Sequence, residues 1–295
     1  MKRNKILSFF LCVMILVGMM PITARADIGP KPSVTVTFEG IEEETYYATL
    51  LSERESTGPA SAYDGGYASY RAGDEGYDIW KKFVEYEDSD GYYFLQEFWE
   101  CSDDNEFRWG YYPPTPFKIL LYFPEYDSFA VSGIYERYAF DSYYTVDLEG
   151  YDIQSVTANA VLTADKSYDF TWELVSLGVR IVLTILAELA IAFLFGLRGK
   201  KQLQLLTVIN VITQVVLNVL LNIVNYNKGQ YAFVFYYILW EILVFAMEAV
   251  VYAVVLSKES FGSALKGKVI FYALVANVVS FIVGLWLAQQ IPGIF

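Results

Sequence analysis

Histidine is missing altogether from this 295-residue chain, and cysteine occurs only twice, as Cys12 and Cys101. Without histidine, Ser-His and Cys-His dyads and every His-ligated metal are excluded. No Walker A sequence and no G-x-S-x-G elbow is present. Nothing in the sequence implies a cofactor. Charge is also scarce in one half. From Thr171 onward there are only 5 acidic and 8 basic residues, whereas Asp27 to Phe170 carries 29 acidic against 9 basic residues, a net of −20. A surface that acidic repels phosphate backbones, so no nucleic-acid partner is expected. The imbalance divides the chain into a water-facing half and an apolar half.

The first 26 residues read as a secretory leader. Lys2, Arg3 and Lys5 precede the apolar run Ile6 to Met20, and Pro21 then leads to Ala24-Arg25-Ala26, a small-residue cleavage site. Its removal takes Cys12 with it, which leaves Cys101 without an intrachain disulfide partner. An export signal without disulfides fits a bacterial cell surface. The domain organisation expected is therefore a leader (1–26), an acidic β-rich domain (27–150), a linker (151–171) and a four-helix transmembrane domain (172–295).

Four segments, 172–196, 203–223, 231–256 and 269–289, are each long and apolar enough to cross ~30 Å of hydrocarbon. The loop at 197–202 holds Arg198, Lys200 and Lys201, and the loop at 257–268 holds Lys258, Lys266 and Lys268. The loop around Asn225 to Gln230 carries only Lys228. Positive loops stay inside, which predicts a multi-pass protein of the plasma membrane. Loops 197–202 and 257–268 are then cytoplasmic, and the acidic domain and C-terminus are extracellular. Tyr231, Tyr236, Tyr237, Trp172 and Trp286 fall near the predicted outer ends, where an aromatic belt belongs.

The apolar half hides polar residues at matching depths. Glu188, Asn210, Glu248 and Asn277 sit on four different spans, each roughly 10–13 Å from its inner end at ~1.5 Å per residue. Arg180, Gln214, Asn218 and Glu241 form a second, outer layer. Asn210, Gln214 and Asn218 recur every fourth residue, and Glu241, Phe245, Glu248 and Tyr252 share a face, as do Asn277, Ser280 and Gly284. Carboxylates at mid-bilayer cost ~2.5 kcal/mol or more, so they usually mark function. One reading pairs Arg180 with Glu241 and gives Glu188 and Glu248 a proton or small cation. The alternative is interhelical glue at ~0.6 kcal/mol per hydrogen bond.

In the acidic half, Ser33 to Gly40 alternates Val34, Val36 and Phe38 with Thr35, Thr37 and Glu39, the period of a half-buried strand. Thr45 to Ser52, Phe117 to Pro124, Ser128 to Tyr138 and Ser142 to Leu148 are further strands, and Tyr77 to Tyr86 has helical spacing. Tyr92 to Cys101 fits strand or helix, and Ser56 to Gly76 reads as a surface loop. The sum is an Ig-like β-sandwich with a helical insertion. Asp88-Ser89-Asp90-Gly91 followed by Glu97 imitates part of a calcium loop, with Tyr86 at its first ligand position. Asp88, Asp90 and Glu97 are thus a weak metal candidate beside the simpler reading, a polar turn. Tyr63, Tyr67, Tyr70 and Tyr77, on or beside the loop, suit protein or glycan recognition.

The segments Asp27 to Ser33 and Thr45 to Ser52, with the Phe117 strand and Tyr143 to Leu148, resemble a group of exported multi-pass membrane proteins from Gram-positive anaerobic bacteria. That group has no assigned activity, so the resemblance implies architecture and no site residues. Three functions follow as expectations. The first is a non-enzymatic envelope protein whose outward β-domain binds, senses or assembles with a protein, peptide or glycan partner. The second is a small transporter or permease subunit that uses the polar layers. The third is an acid-based intramembrane enzyme. Four spans are few for a stand-alone transporter, which favours homo-oligomers or a larger complex.

Overall fold

The computed structural model describes residues 29–41, 44–151, 161–258 and 263–290. The expected leader, residues 1–26, and the C-terminal residues 291–295 lie outside them. Among the described residues twelve strands precede three long helices. One sheet runs β12 (Ala164–Lys166), β10 (Asp141–Asp147), β1 (Ser33–Glu39), β7 (Glu106–Trp109). The other runs β11 (Val161–Leu162), β9 (Ser128–Ser132), β8 (Phe117–Phe123), β2 (Tyr47–Ser52), β5 (Tyr93–Phe94), with β6 (Trp99–Glu100) also on β2. A small hairpin pairs β3 (Ser56–Thr57) with β4 (Ala60–Ser61). The β1–β10 and β9–β11 pairs are parallel, so both sheets are mixed, where an Ig-like sandwich uses antiparallel sheets.

The alternation read in β1 places Val34, Val36 and Phe38 in one core with Leu50 of β2, Phe107 of β7, Tyr144 of β10, and Phe117, Ile119, Leu121 and Phe123 of β8. Burial of each such side chain contributes about 1.5–3 kcal/mol. Cys101 lies in this core, and burial, reinforced by Asp104, pushes its thiol up to about 12. Every residue of β8 is buried, because its other face meets helix α1 (Tyr77–Glu85) through Leu120, Tyr122, Trp80 and Phe83. The domain is therefore three layers deep.

Two stretches differ from expectation. The tail expected as linker supplies β11 and β12, one to each sheet, because Leu162 and Ala164 are apolar enough to join the core. The Tyr-rich loop is pinned rather than free. Gln96, in left-handed conformation, accepts from Ser69 N at 3.0 Å and donates to Ser61 O and Tyr67 O at 3.1 and 3.3 Å. Tyr63, Tyr70 and Tyr77 then ring Trp80 at 5.3–6.4 Å, while Tyr67 extends outward, 76% exposed.

The helical region comprises α2 (Thr171–Leu194), α3 (Lys200–Lys258) and α4 (Ser263–Gln290). All three are long and apolar enough to cross a membrane. The apolar stretch of α3 runs 56 residues, roughly 84 Å at 1.5 Å per residue, far beyond one crossing. It breaks at Gly229, whose φ of 77° and ψ of 179° are non-helical. The limbs 200–228 and 230–258 fold back on each other, because contacts step symmetrically away from that break. Leu217 and Leu221 cluster with Phe233, Tyr237 and Val244, and further along Thr213 meets Glu248 and Asn210 meets Tyr252. The four apolar segments of the sequence thus lie on α2, the two limbs of α3, and α4. One apolar cluster, with Ala192, Leu206, Tyr252 and Tyr272, draws on all four.

The break in α3 touches the β-domain. Phe140 N donates to Tyr226 O at 2.8 Å, and the Tyr226 ring packs against Tyr138, Tyr168 and Phe170. Arg198, Lys200, Lys201 and Lys268 are exposed at the opposite end of the helices.

Candidate functional site: a polar interior among the helices

The helical region is built inside out. Leu194, Phe235, Val250 and Ile282 face outward, each at least 59% exposed. Arg180, Thr184, Glu188, Asn210, Thr213, Gln214, Asn218, Glu241, Glu248, Asn277 and Ser280 are buried. In water the pattern of a helix bundle is the reverse, with apolar faces turned inward. Each helix turns one polar stripe toward its neighbours, as the i, i+4 and i, i+3 spacings dictate.

Glu248, on the second limb of α3, is the most completely bonded group. Thr213 Oγ1 donates to its Oε1 at 2.8 Å, and Asn277 Nδ2 of α4 donates to its Oε2 at 2.7 Å. A donor on each oxygen is the setting of an ionised carboxylate. One turn away, Tyr252 donates to Asn210 Oδ1 at 2.6 Å. Glu188 of α2 faces this group, close enough for electrostatic interaction with Glu248 and Glu241. Among the described residues neither of its carboxylate oxygens accepts a hydrogen bond. Tyr272 donates instead to the Glu188 backbone carbonyl, at 3.3 Å.

The outer residues form a second set. Arg180 Nη1 donates to Asn218 Oδ1 at 3.0 Å, and Asn218 Nδ2 donates to Gln214 O at 2.8 Å. The guanidinium also lies over the Phe233 ring, 5.6 Å from its centre. Depth suggested Glu241 as the partner of Arg180; the hydrogen bond observed runs to Asn218. Glu241 takes the Tyr237 hydroxyl as its hydrogen-bond partner, one turn back on the same limb. Tyr237 therefore leaves the expected aromatic belt and lies buried, whereas Tyr231 and Trp286 face outward. Thr213, Tyr252 and Ser280 belong to the interior although the depth argument did not select them. Their signal was the helix face they share with Gln214 and Asn210, Glu248, and Asn277.

The weak metal candidate in the β-domain resolves differently. Asp88 and Asp90 close on Lys118 of β8. Its Nζ lies 2.8 Å from both oxygens of Asp88 and 2.5 Å from Asp90 Oδ2. Burial works against the ammonium, but the two carboxylates outweigh it and hold Lys118 above its ordinary value. Glu97 is exposed, its backbone carbonyl accepting from Thr49 Oγ1 at 2.5 Å. Among the described residues no three His, Cys, Asp or Glu side chains gather as a metal would require. The polar turn is a lock on a buried lysine.

Compared with protein-family models, with curated proteins and with solved structures, the chain matches none.

Proposed function

We propose that this chain is a non-enzymatic cell-envelope protein of the plasma membrane. Four transmembrane spans carry an outward domain of two mixed sheets that binds, senses or assembles with a protein, peptide or glycan partner. The observation that carries this reading is the inside-out helical region, apolar toward its surroundings and polar within. The exposed basic residues at one end and the acidic domain at the other support cytoplasmic loops 197–202 and 257–268. The docking of Phe140 on Tyr226 supports a domain held at the membrane surface, with Tyr67 offered to a partner. The experiment is labelling of intact bacterial cells with a membrane-impermeant maleimide. Tyr67→Cys should react in intact cells, and Lys200→Cys only after permeabilisation. The opposite pattern refutes the orientation.

A second reading, transport of a proton or cation through the polar interior, is favoured by the Glu188 carboxylate, whose oxygens accept no hydrogen bond among the described residues.

A further inference from the structure

Charge and hydrogen-bond type in the polar interior point further than glue. The interior holds three carboxylates, Glu188, Glu241 and Glu248, against one guanidinium, Arg180. Each buried ion is costly to remove from water unless it is paired. Glu248 is met by donors and Glu241 by a phenol, which leaves Glu188 as the carboxylate without one.

The neighbours of Glu188 do not supply the missing donor. Asn277 spends both amide hydrogens, one on Glu248 Oε2 at 2.7 Å and one on Ala273 O at 2.9 Å. Those bonds fix the amide orientation, since a flipped amide would point its oxygen at the Glu248 carboxylate. Asn277 Oδ1 is therefore an acceptor turned away from Glu248, and it has no partner among the described residues. Ser280 follows at i+3 on the same helix, with its hydroxyl beside the Glu188 carboxylate. Among the described residues four buried oxygens on two helices thus accept no hydrogen bond: both of Glu188, with Ser280 Oγ beside them, and Asn277 Oδ1 one turn from Ser280 along α4. All belong to side chains at most 5% exposed. The unpartnered amide donors, Asn210 Nδ2 and Gln214 Nε2, lie on the first limb of α3 and make no hydrogen bond to Glu188.

Glue requires donors matched to acceptors. A carboxylate, an amide oxygen and a hydroxyl, with no amide or ammonium donor bonded to them among the described residues, have the composition of a hard-cation site. The charge selects the ligand. The ligand set itself holds a single carboxylate, Glu188, which one positive charge offsets, while Glu248 and Glu241 lie outside the set with neutral hydrogen-bond donors of their own. We propose that Glu188, Asn277 and Ser280 bind a monovalent metal cation, Na⁺ or K⁺, between α2 and α4. The groups facing the site are Glu248, Glu241, Tyr252 and Tyr272, with Arg180 two turns along α2. The proposal deepens the cation-transport reading and rests on the helices being membrane-embedded.

The test uses the full-length protein. Carbonate washing of membranes comes first: release without detergent would refute the membrane reading and with it this site. Detergent-solubilised protein is then melted in NaCl, KCl or choline chloride at one ionic strength and pH. Na⁺ or K⁺ should raise the melting temperature by several degrees over choline, saturably. Ser280→Ala should move the half-saturating concentration up on the order of tenfold. Glu188→Gln should abolish the dependence, and it should melt in choline no lower than wild type does. Equal melting in all three salts overturns the proposal, as does a cation effect that survives unchanged in both variants. A response to pH alone, without preference among the salts, overturns it in favour of a proton.

Discussion

Removing the Lys118 ammonium should unfold the β-domain more readily than any single apolar truncation at its rim. The lysine interrupts the apolar run of β8, and its side chain is only 3% exposed. Asp88, fully buried, holds it with both oxygens, while Asp90 is 58% exposed and keeps its water. The Tyr92 ring covers the ammonium at 5.1 Å. In Lys118→Met the stem still fills its space between α1 and β2, but Asp88 stays buried with backbone donors alone, Asp90 N at 2.9 Å and Tyr92 N at 3.2 Å. Breaking a buried pair from one side costs about 3–5 kcal/mol. For a domain of this size that lowers the melting temperature by roughly 10–20 °C. Asp88→Asn should cost less, because Asp90 still offsets the lysine. The double variant Lys118→Met/Asp88→Asn should recover most of the loss, since a neutral pair leaves no orphaned charge. The measurement is a thermal melt of the detergent-solubilised protein, followed by near-UV circular dichroism. A loss below ~1 kcal/mol for Lys118→Met, or a double variant costing the sum of the singles, would refute the reasoning.

Alkaline pH should act on the same domain through its phenols. Burial, helped by Asp88 and by Asp127 respectively, pushes Tyr86 and Tyr122 up to about 12. Folded values above the unfolded ~10 give stability that is complete below pH ~10 and is lost as pH rises toward about 12. Phenolate absorbance should show fewer titrating tyrosines in the folded than in the denatured protein over that window. Tyr86→Phe with Tyr122→Phe should move alkaline unfolding upward, and an unchanged midpoint counts against the assignment. Gly229→Ala should separate the β-domain from the turn between the two limbs of α3. Its φ of 77° and ψ of 179° cost a side-chain-bearing residue about 1–3 kcal/mol, and the added Cβ would lie 2.6–2.8 Å from Phe140 ring carbons. Trypsin should then cut faster at the Lys166 end of the tether. Phe140→Ala in the Gly229→Ala background should relieve the clash but not the backbone cost. Equal melting temperatures for Gly229→Ala and wild type would dismiss both effects.

Much of the scaffold was legible because it rests on periodicity. The alternation in Ser33 to Gly40 became β1, the helical spacing of Ile79, Trp80 and Phe83 became α1, and the apolar lengths became the long helices. The polar faces of the spans were legible for the same reason. Pairing was not, because which residue meets which depends on helix rotation and tilt, and depth alone did not point to Asn218 as a partner of Arg180. Strands β11 and β12 are too short to show a period, and their polar neighbours Thr163 and Asp165 resemble linker. The Asp88 turn was misleading for a different reason. Its carboxylates have the spacing of a metal loop, and their real partner lies 30 residues away in sequence. A lone lysine inside Phe-Lys-Ile-Leu-Leu-Tyr-Phe was the available clue, since such a charge must find an opposite one.

The placement of β12 sets the order in which the chain can be finished. Neither sheet is complete until residues 161–166 arrive, and the first long helix begins at Thr171. A chain made from its N-terminus keeps Leu162 and Ala164 off their core positions until almost the moment that helix follows. In the membrane reading proposed above, completion of the domain and entry of α2 into lipid are then nearly simultaneous, separated by only residues 167–170. On that reading a lesion in the last strands would surface as failed membrane assembly, although nothing in the helices had changed.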